Sequence, residues 1–127
     1  MLKNAQIVPY IPVADVARAR RFYEGKVGLK PKEEHAGGVI YECGSGSWVF
    51  VYPSAGAGTS KASTAFWAVK DVAAEVAELK ARGVVFEEYD MPGIKMENSI
   101  ASAGGAKTAW FKDSEGNILA VSQRVSS

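Results

Sequence analysis

Few side chains in this sequence can serve as an acid, a base, a nucleophile or a metal ligand. The chain of 127 residues has one histidine, His35, and one cysteine, Cys43. We expect His35 to be exposed, because it lies between two glutamates and two glycines at the predicted end of a strand. A single histidine far from the serines and threonines does not support a hydrolytic triad. The segment Gly44-Ser45-Gly46-Ser47 is too short for a phosphate-binding loop and precedes a strand rather than a helix.

The charge balance excludes several classes of partner. The chain has 15 basic and 14 acidic residues, a net charge of +1, and no run of like charges. We therefore expect it to bind neither nucleic acid nor an acidic membrane surface. One cysteine cannot form an internal disulfide, and no apolar stretch has the length of a signal sequence or a membrane helix. These features predict a cytoplasmic protein, and the 47% of hydrophobic residues is enough for the core of one domain.

An internal repeat organises the chain. Residues 13–17, Val-Ala-Asp-Val-Ala, recur at residues 69–73 as Val-Lys-Asp-Val-Ala. Each copy follows a run that predicts a strand and precedes an amphipathic helical pattern. Asp15 and Asp71 have the position of helix N-caps, where a carboxylate accepts free backbone N–H groups.

Each half of the chain continues in the same way after its helix. A glycine ends the helix, a strand-like stretch follows, and a hairpin with a glycine-containing turn closes the half. The modules extend over about residues 5–53 and 64–124 and are joined by a Gly/Ala/Ser segment at 54–63. The whole chain, 1–127, is predicted to be a single domain. Residues 84–89 predict a strand, and residues 90–105 predict an additional loop over the sheet that is able to cover a site. The predicted fold class is α+β, with the order strand-helix-strand-strand-strand twice.

This pattern resembles a known family. Val13-Ala14-Asp15, followed by Phe22-Tyr23 and Gly28-Leu29, resembles the opening module of the vicinal oxygen chelate superfamily, which contains glyoxalases, bleomycin resistance proteins and dioxygenases. Residues 113–117, Asp-Ser-Glu-Gly-Asn, resemble its closing hairpin. The resemblance implies two βαβββ modules that form a curved mixed sheet cup with the helices on the outside. It also implies a homodimer, with each cup built from one chain or from two.

Metal binding is the point at which the sequence departs from the family. The family's enzymes hold one divalent metal with His, Gln or Glu at four strand positions. The corresponding positions here are Val8, Val49, Thr64 and Ala120, and three of these have no donor atom in their side chains. We therefore predict a protein with no metal site and no cofactor.

Strand alternation predicts the lining of the cup. The predicted cup is largely apolar, and Glu42 is its one acidic group, expected to lie across the hairpin from Val49. A carboxylate in an apolar cup has a raised pKa and can act as an acid or a base, so Glu42 is the candidate catalytic residue. On the last hairpin Phe111 is expected to line the cup, or Trp110 in its place if the hairpin contains a bulge. The predicted ligand-binding residues are Val8, Tyr10, Ile40, Glu42, Val49, Val51, Thr64, Phe66, Phe111, Ala120 and Ser122.

Two functions follow from these observations. The first is a protein that binds a small apolar or aromatic molecule in the cup without a metal. The alternative is a lyase, isomerase or dioxygenase-type enzyme of the same superfamily, using Glu42 or Tyr10 as acid–base residues or a metal site not recognised in the sequence. Both functions require a small-molecule partner.

Overall fold

The protein is described by a computed structural model over residues 1–35, 37–90 and 92–124. The first module contains β1 (Tyr10–Val13), α1 (Val16–Arg20), β2 (Lys30–His35), β3 (Gly38–Glu42) and β4 (Trp48–Pro53). The second contains β5 (Ser63–Ala68), α2 (Val72–Ala81), β6 (Lys95–Glu97), β7 (Ile100–Ala103), β8 (Ala106–Lys112) and β9 (Ile118–Arg124). The strands form a four-stranded sheet in the order β1-β4-β3-β2 and a five-stranded sheet in the order β5-β9-β8-β7-β6. The predicted α+β class is confirmed.

The two helices begin where the sequence predicts. The Asp15 carboxylate accepts a hydrogen bond from Arg18 N at 3.0 Å, and that of Asp71 accepts one from Ala74 N at 3.1 Å. Both aspartates have extended backbone angles, as N-cap residues do. The first helix continues beyond Arg20 as a π-helical segment, Arg21–Lys26. In the part of the chain that the structure describes, no helix is long and apolar enough to cross a membrane.

The turn between β8 and β9 joins the two modules. Glu115, in this turn, accepts hydrogen bonds from the backbone nitrogens of Ala14 at 3.0 Å and Asp15 at 2.9 Å, just before α1. Its carboxylate also pairs with Arg18, with an Nε to Oε2 distance of 2.7 Å. The hydrogen bond from Arg18 is the main reason that the pKa of Glu115 is lowered to about 2. The second module therefore caps the helix of the first.

One hydrophobic core is shared by both modules. The Phe22 ring of α1's π-helical continuation lies 6.2 Å from the ring of Phe111 on β8. Next to it, the buried Tyr23 hydroxyl donates to Asp113 Oδ2 at 2.5 Å, and burial raises the pKa of this tyrosine. The faces of both sheets that are directed towards the two helices, together with the helices, supply the side chains of this core. The faces directed away from the helices are left available for other contacts.

The second module departs from the prediction after α2. Residues 84–89, predicted as a strand, form only a single bridge between Phe86 and Phe111. Residues 90–105, predicted as a loop over the sheet, instead form β6 and β7, which extend the sheet at its edge; Met91 lies outside the described residues. Asn98 and Ser99, both with positive φ, make the two-residue turn that allows these strands to pair.

Candidate ligand-binding site

The strand register assigns the side chains of the four-stranded sheet to two faces. Tyr10 lies beside Phe50 in the β1–β4 pair, and Ile40 lies on the other side of Phe50 in the β3–β4 pair. Because neighbouring residues in a sheet point to the same side, these three side chains share the face directed away from the helices. We call this face the first open face. Together with the residues paired in the neighbouring positions, it consists of Tyr10, Ile40, Glu42, Trp48, Phe50 and Tyr52.

Val49 and Val51 do not lie on this face. They are 4% and 0% exposed and belong to the core. The hairpin between β3 and β4 explains the error: a three-residue loop, Gly44–Gly46, is closed by a hydrogen bond from Cys43 N to Ser47 O at 2.7 Å. Glu42 is consequently paired with Trp48, where the sequence analysis paired it with Val49. A shift of one residue moves every side chain of β4 to the opposite face.

Three aromatic rings form the centre of the first open face. The ring of Tyr10 lies 5.5 Å from that of Phe50 and 5.0 Å from that of Tyr52, and the last two rings are nearly parallel, at 20°. Tyr10 is nevertheless 63% exposed. An exposed surface of packed aromatic rings offers dispersion and stacking contacts to a flat apolar molecule.

Glu42 lies at the rim of this surface rather than inside an apolar enclosure. Its side chain is 55% exposed, and Lys32 Nζ lies 3.6 Å from its Oε2. The same ammonium group lies 4.0 Å from the ring centroid of Trp48, a cation–π contact. The predicted apolar burial of Glu42 is therefore wrong, and its catalytic role stays a prediction without that support. His35, also at this rim, is exposed as expected at the end of β2.

The five-stranded sheet has an equivalent face. Phe66 lies beside Ala120, and Trp110 lies on the other side of Ala120. Phe111 is fully buried and pairs with Leu119, because the closing turn pairs Lys112 with Ile118. The prediction of Phe111 in the cup is thus wrong, and its alternative, Trp110, occupies the position. We call this the second open face; it consists of Phe66, Ala68, Thr108, Trp110, Ala120 and Ser122.

Polar and aromatic contacts hold the second open face in place. The hydroxyls of Thr108 and Ser122 are hydrogen-bonded at 2.9 Å. The Tyr89 ring packs edge-on against Trp110, with centroids 5.6 Å apart, and Tyr89 N donates to Met96 Sδ at 3.2 Å. The β6–β7 hairpin, through Met96, thereby supports the residue that contacts Trp110.

Two concavities open next to these faces. A cleft of about 480 Å³ separates β1 from β5, and among its lining residues are Val8, Val49, Thr64 and Phe66 from the predicted set. A groove of about 640 Å³ follows the second open face from Phe66 to Arg124, over Ser122. Phe66 belongs to both concavities, and it is 64% exposed.

The four positions of the family's metal ligands do not fit a metal ion. Val8, Val49 and Thr64 come together at the cleft, while Ala120 lies on the second open face. The threonine hydroxyl is the one donor among these side chains, and a neutral hydroxyl alone does not hold a divalent cation. On the open face, the β4 position is Phe50 in place of Val49, which has no donor either. Within residues 1–35, 37–90 and 92–124, no group of three or more His, Cys, Asp and Glu side chains is placed to hold a metal.

Solved structures of other proteins share this fold. UcmS2 is 15% identical, with a TM-score of 0.72 over 92% of this chain and 96% of its own. TnmS3, described as an antibiotic binding protein from Streptomyces sp. CB03234, is 20% identical, with a TM-score of 0.67 over 98% of each chain. A glyoxalase/bleomycin resistance protein/dioxygenase from Alicyclobacillus acidocaldarius is 18% identical, with a TM-score of 0.72 over 97% of this chain and 93% of its own. At these identities the likeness concerns the fold alone.

The sequence comparisons give the family. No curated protein matches this chain with significance. The sequence model of one family matches residues 5–121, almost the whole chain. The chain therefore belongs to the Glyoxalase/Bleomycin resistance protein/Dioxygenase superfamily.

Proposed function

We propose that this protein binds a small, flat aromatic molecule on the open faces of its sheets, without a metal and without chemical conversion of the molecule. The observation that carries the proposal is a pair of exposed aromatic side chains at equivalent positions. Tyr10 and Phe66 each precede an N-cap aspartate by five residues, and they are 63% and 64% exposed. Groups of large, exposed apolar side chains are typical of binding sites.

The two open faces differ in a way that suits a flat ligand. The strand registers make Phe50 the equivalent of Ala120, and Tyr52 the equivalent of Ser122. The first face is therefore an aromatic platform, and the second has a floor of small side chains between Phe66 and Trp110. A planar molecule stacked on the platform finds room above the small side chains of the other face.

A homodimer would bring the two kinds of face together. Each chain uses the inner faces of its sheets for one shared core, so its open faces are the surfaces that a second chain can cover. A two-fold axis that places the first open face of one chain over the second open face of its partner creates two equal sites. This arrangement would also cover the exposed Tyr10 and Phe66 rings.

The relatives support binding as the class of function. TnmS3 is described as an antibiotic binding protein, and its fold matches over the whole of both chains. The enzymatic alternative, a lyase, isomerase or dioxygenase, depends on an acid–base group or a metal. Glu42 is half exposed and paired with Lys32, and the metal positions have no suitable donors. The side chains of the open faces therefore favour binding over catalysis.

Fluorescence titration with a neutral polycyclic aromatic probe, 1-pyrenebutanol, tests this function. We expect saturable binding that weakens at least tenfold, about 1.4 kcal/mol, in Tyr10→Ala and in Phe66→Ala. Both side chains are more than half exposed, so the variants are expected to remain folded. Leu2→Ala is the matched control, because it also removes an exposed large apolar side chain but lies in the N-terminal turn. Equal affinity in all four proteins, or no saturable binding to the parent protein, refutes the proposed site.

A further inference from the structure

The groove along the second open face has a charged end. Its lining residues change from the aromatic Phe66, through Ser122, to the basic Arg124. Among the described residues that line it, Arg124 is the one with a charged side chain, and none is acidic. A concavity with an apolar end and a cationic end selects a molecule with the complementary two ends.

The floor between these ends is open. Ala68 and Ala106 have the smallest side chains, and the turn at Gly104 and Gly105 has none. Both glycines have positive φ, at 59° and 76°, so larger residues would be strained in this turn. A Cβ atom placed on Gly104 would meet nothing within 4 Å. The space beside Arg124 is therefore free to accept a ligand group.

The strand register gives the distance between the two ends. Phe66 shares a row with Ala120, and Arg124 lies four residues further along β9. At about 3.3 Å per residue, the two rows are about 13 Å apart. A fused-ring aromatic molecule with an acidic group on a short side chain has a suitable length.

The first open face offers no comparable position. Its rim combines Lys32 with Glu42, and Glu33 and His35 stand together further along β2. Charges of both signs there give no preference for one sign of ligand. We therefore propose, on the basis of the binding function proposed above, that the ligand of this site is an aromatic carboxylate, with its ring at Phe66 and its carboxylate on Arg124. The planar guanidinium donates two parallel hydrogen bonds to a carboxylate.

A pair of fluorescent probes tests this assignment. 1-Pyrenebutyrate and 1-pyrenebutanol share the same ring system and chain and differ in the charge of the terminal group. We expect the carboxylate to bind the parent protein about tenfold more tightly than the alcohol at low ionic strength, and the preference to decrease with added salt. Arg124→Gln should remove this preference while the affinity for the alcohol stays unchanged. Arg124→Lys should keep part of it, because a lysine retains the charge but not the paired donors.

Arg21→Gln is the control, since it removes the same charge from the exposed surface of the first module. It should leave the preference intact. A preference that persists in Arg124→Gln, or is absent from the parent protein, overturns the carboxylate assignment. If the alcohol still binds and Phe66→Ala still weakens it, the proposed binding function stands without that assignment. If neither probe binds, both proposals are refuted.

Discussion

Glu115 offers a direct measure of how the two modules stabilise each other. Its side chain is fully buried, and its carboxylate accepts from two backbone nitrogens and from Arg18, which is half exposed. Replacing Glu115 by Gln keeps the shape and removes the negative charge. Since the pKa of Glu115 is lowered to about 2 from 4.5, the folded state favours the charged form.

The size of this effect follows from the shift. At about 1.4 kcal/mol per pKa unit, the charged form contributes about 3 kcal/mol in the absence of screening. Water around Arg18 screens the pair, and a reduced contribution of about 1–2 kcal/mol is the expected loss of unfolding free energy in Glu115→Gln at pH 7. Because the pKa of Glu115 is lower in the folded state than in the unfolded state, the charged carboxylate stabilises the folded protein. This stabilisation is complete above pH 4.5 and is lost as the pH falls towards 2.

Urea unfolding of the parent protein and Glu115→Gln between pH 7 and pH 2.5 measures this contribution. The difference in unfolding free energy between them should be largest at pH 7, decrease below about pH 5 and approach zero near pH 2. Glu78→Gln is the control, because Glu78 on α2 forms an exposed ion pair with Arg82, the residue that follows the helix. It should change the stability by less than about 0.5 kcal/mol at any of these pH values. A difference for Glu115→Gln that does not vary with pH refutes the account of the interface between modules.

Three further predictions test the faces, the metal positions and the assembly. Val51→Ala should cost about 2 kcal/mol of unfolding free energy, because it leaves a cavity in the core, whereas Tyr10→Ala should cost about 1 kcal/mol, because it loses only contacts between rings on an open face; equal losses in urea unfolding would contradict the face assignment. Elemental analysis of untagged protein should find well under one equivalent of divalent metal, and an increase in melting temperature on adding zinc, nickel, iron or manganese would count against a metal-free site. Light scattering at micromolar concentration should give about twice the chain mass of 13.5 kDa, and Phe66→Glu should give a monomer because it places a charge in the proposed interface; a dimer that Phe66→Glu leaves intact would exclude the open faces as the contact.

Local signals in the sequence were sufficient for the elements of the first module and for β5, α2 and the closing hairpin of the second. An N-cap aspartate needs only the backbone of the next three residues, and Asp15 and Asp71 cap their helices as predicted. Alternation within one strand is also local, and it placed Tyr10 on β1 and Phe66 on β5 on the faces where they are found. That Val8, Thr64 and Ala120 are not His, Gln or Glu is a property of residue type, which no fold can change.

The faces of the hairpins were decided by tertiary structure. The strand of Val49 and Val51 and that of Phe111 are where the sequence predicts them, but the side on which these residues lie depends on the number of residues in the adjoining turn. A loop of three residues between β3 and β4, one more than the predicted pairing of Glu42 with Val49 requires, places the valines in the core. The pairing of Lys112 with Ile118 does the same for Phe111.

Contacts between distant segments were equally beyond the sequence. Glu115 reaches the start of α1 across about 100 positions of the chain, and a glutamate in a predicted turn carries no sign of such a partner. The β6–β7 hairpin forms because β8 offers an unpaired edge next to it, which only the assembled sheet provides. The sequence thus determined the repeated modules and the chemistry that their residues allow. Turn geometry and long-range strand pairing decided which side chains share a surface, because both depend on the tertiary fold of the whole chain.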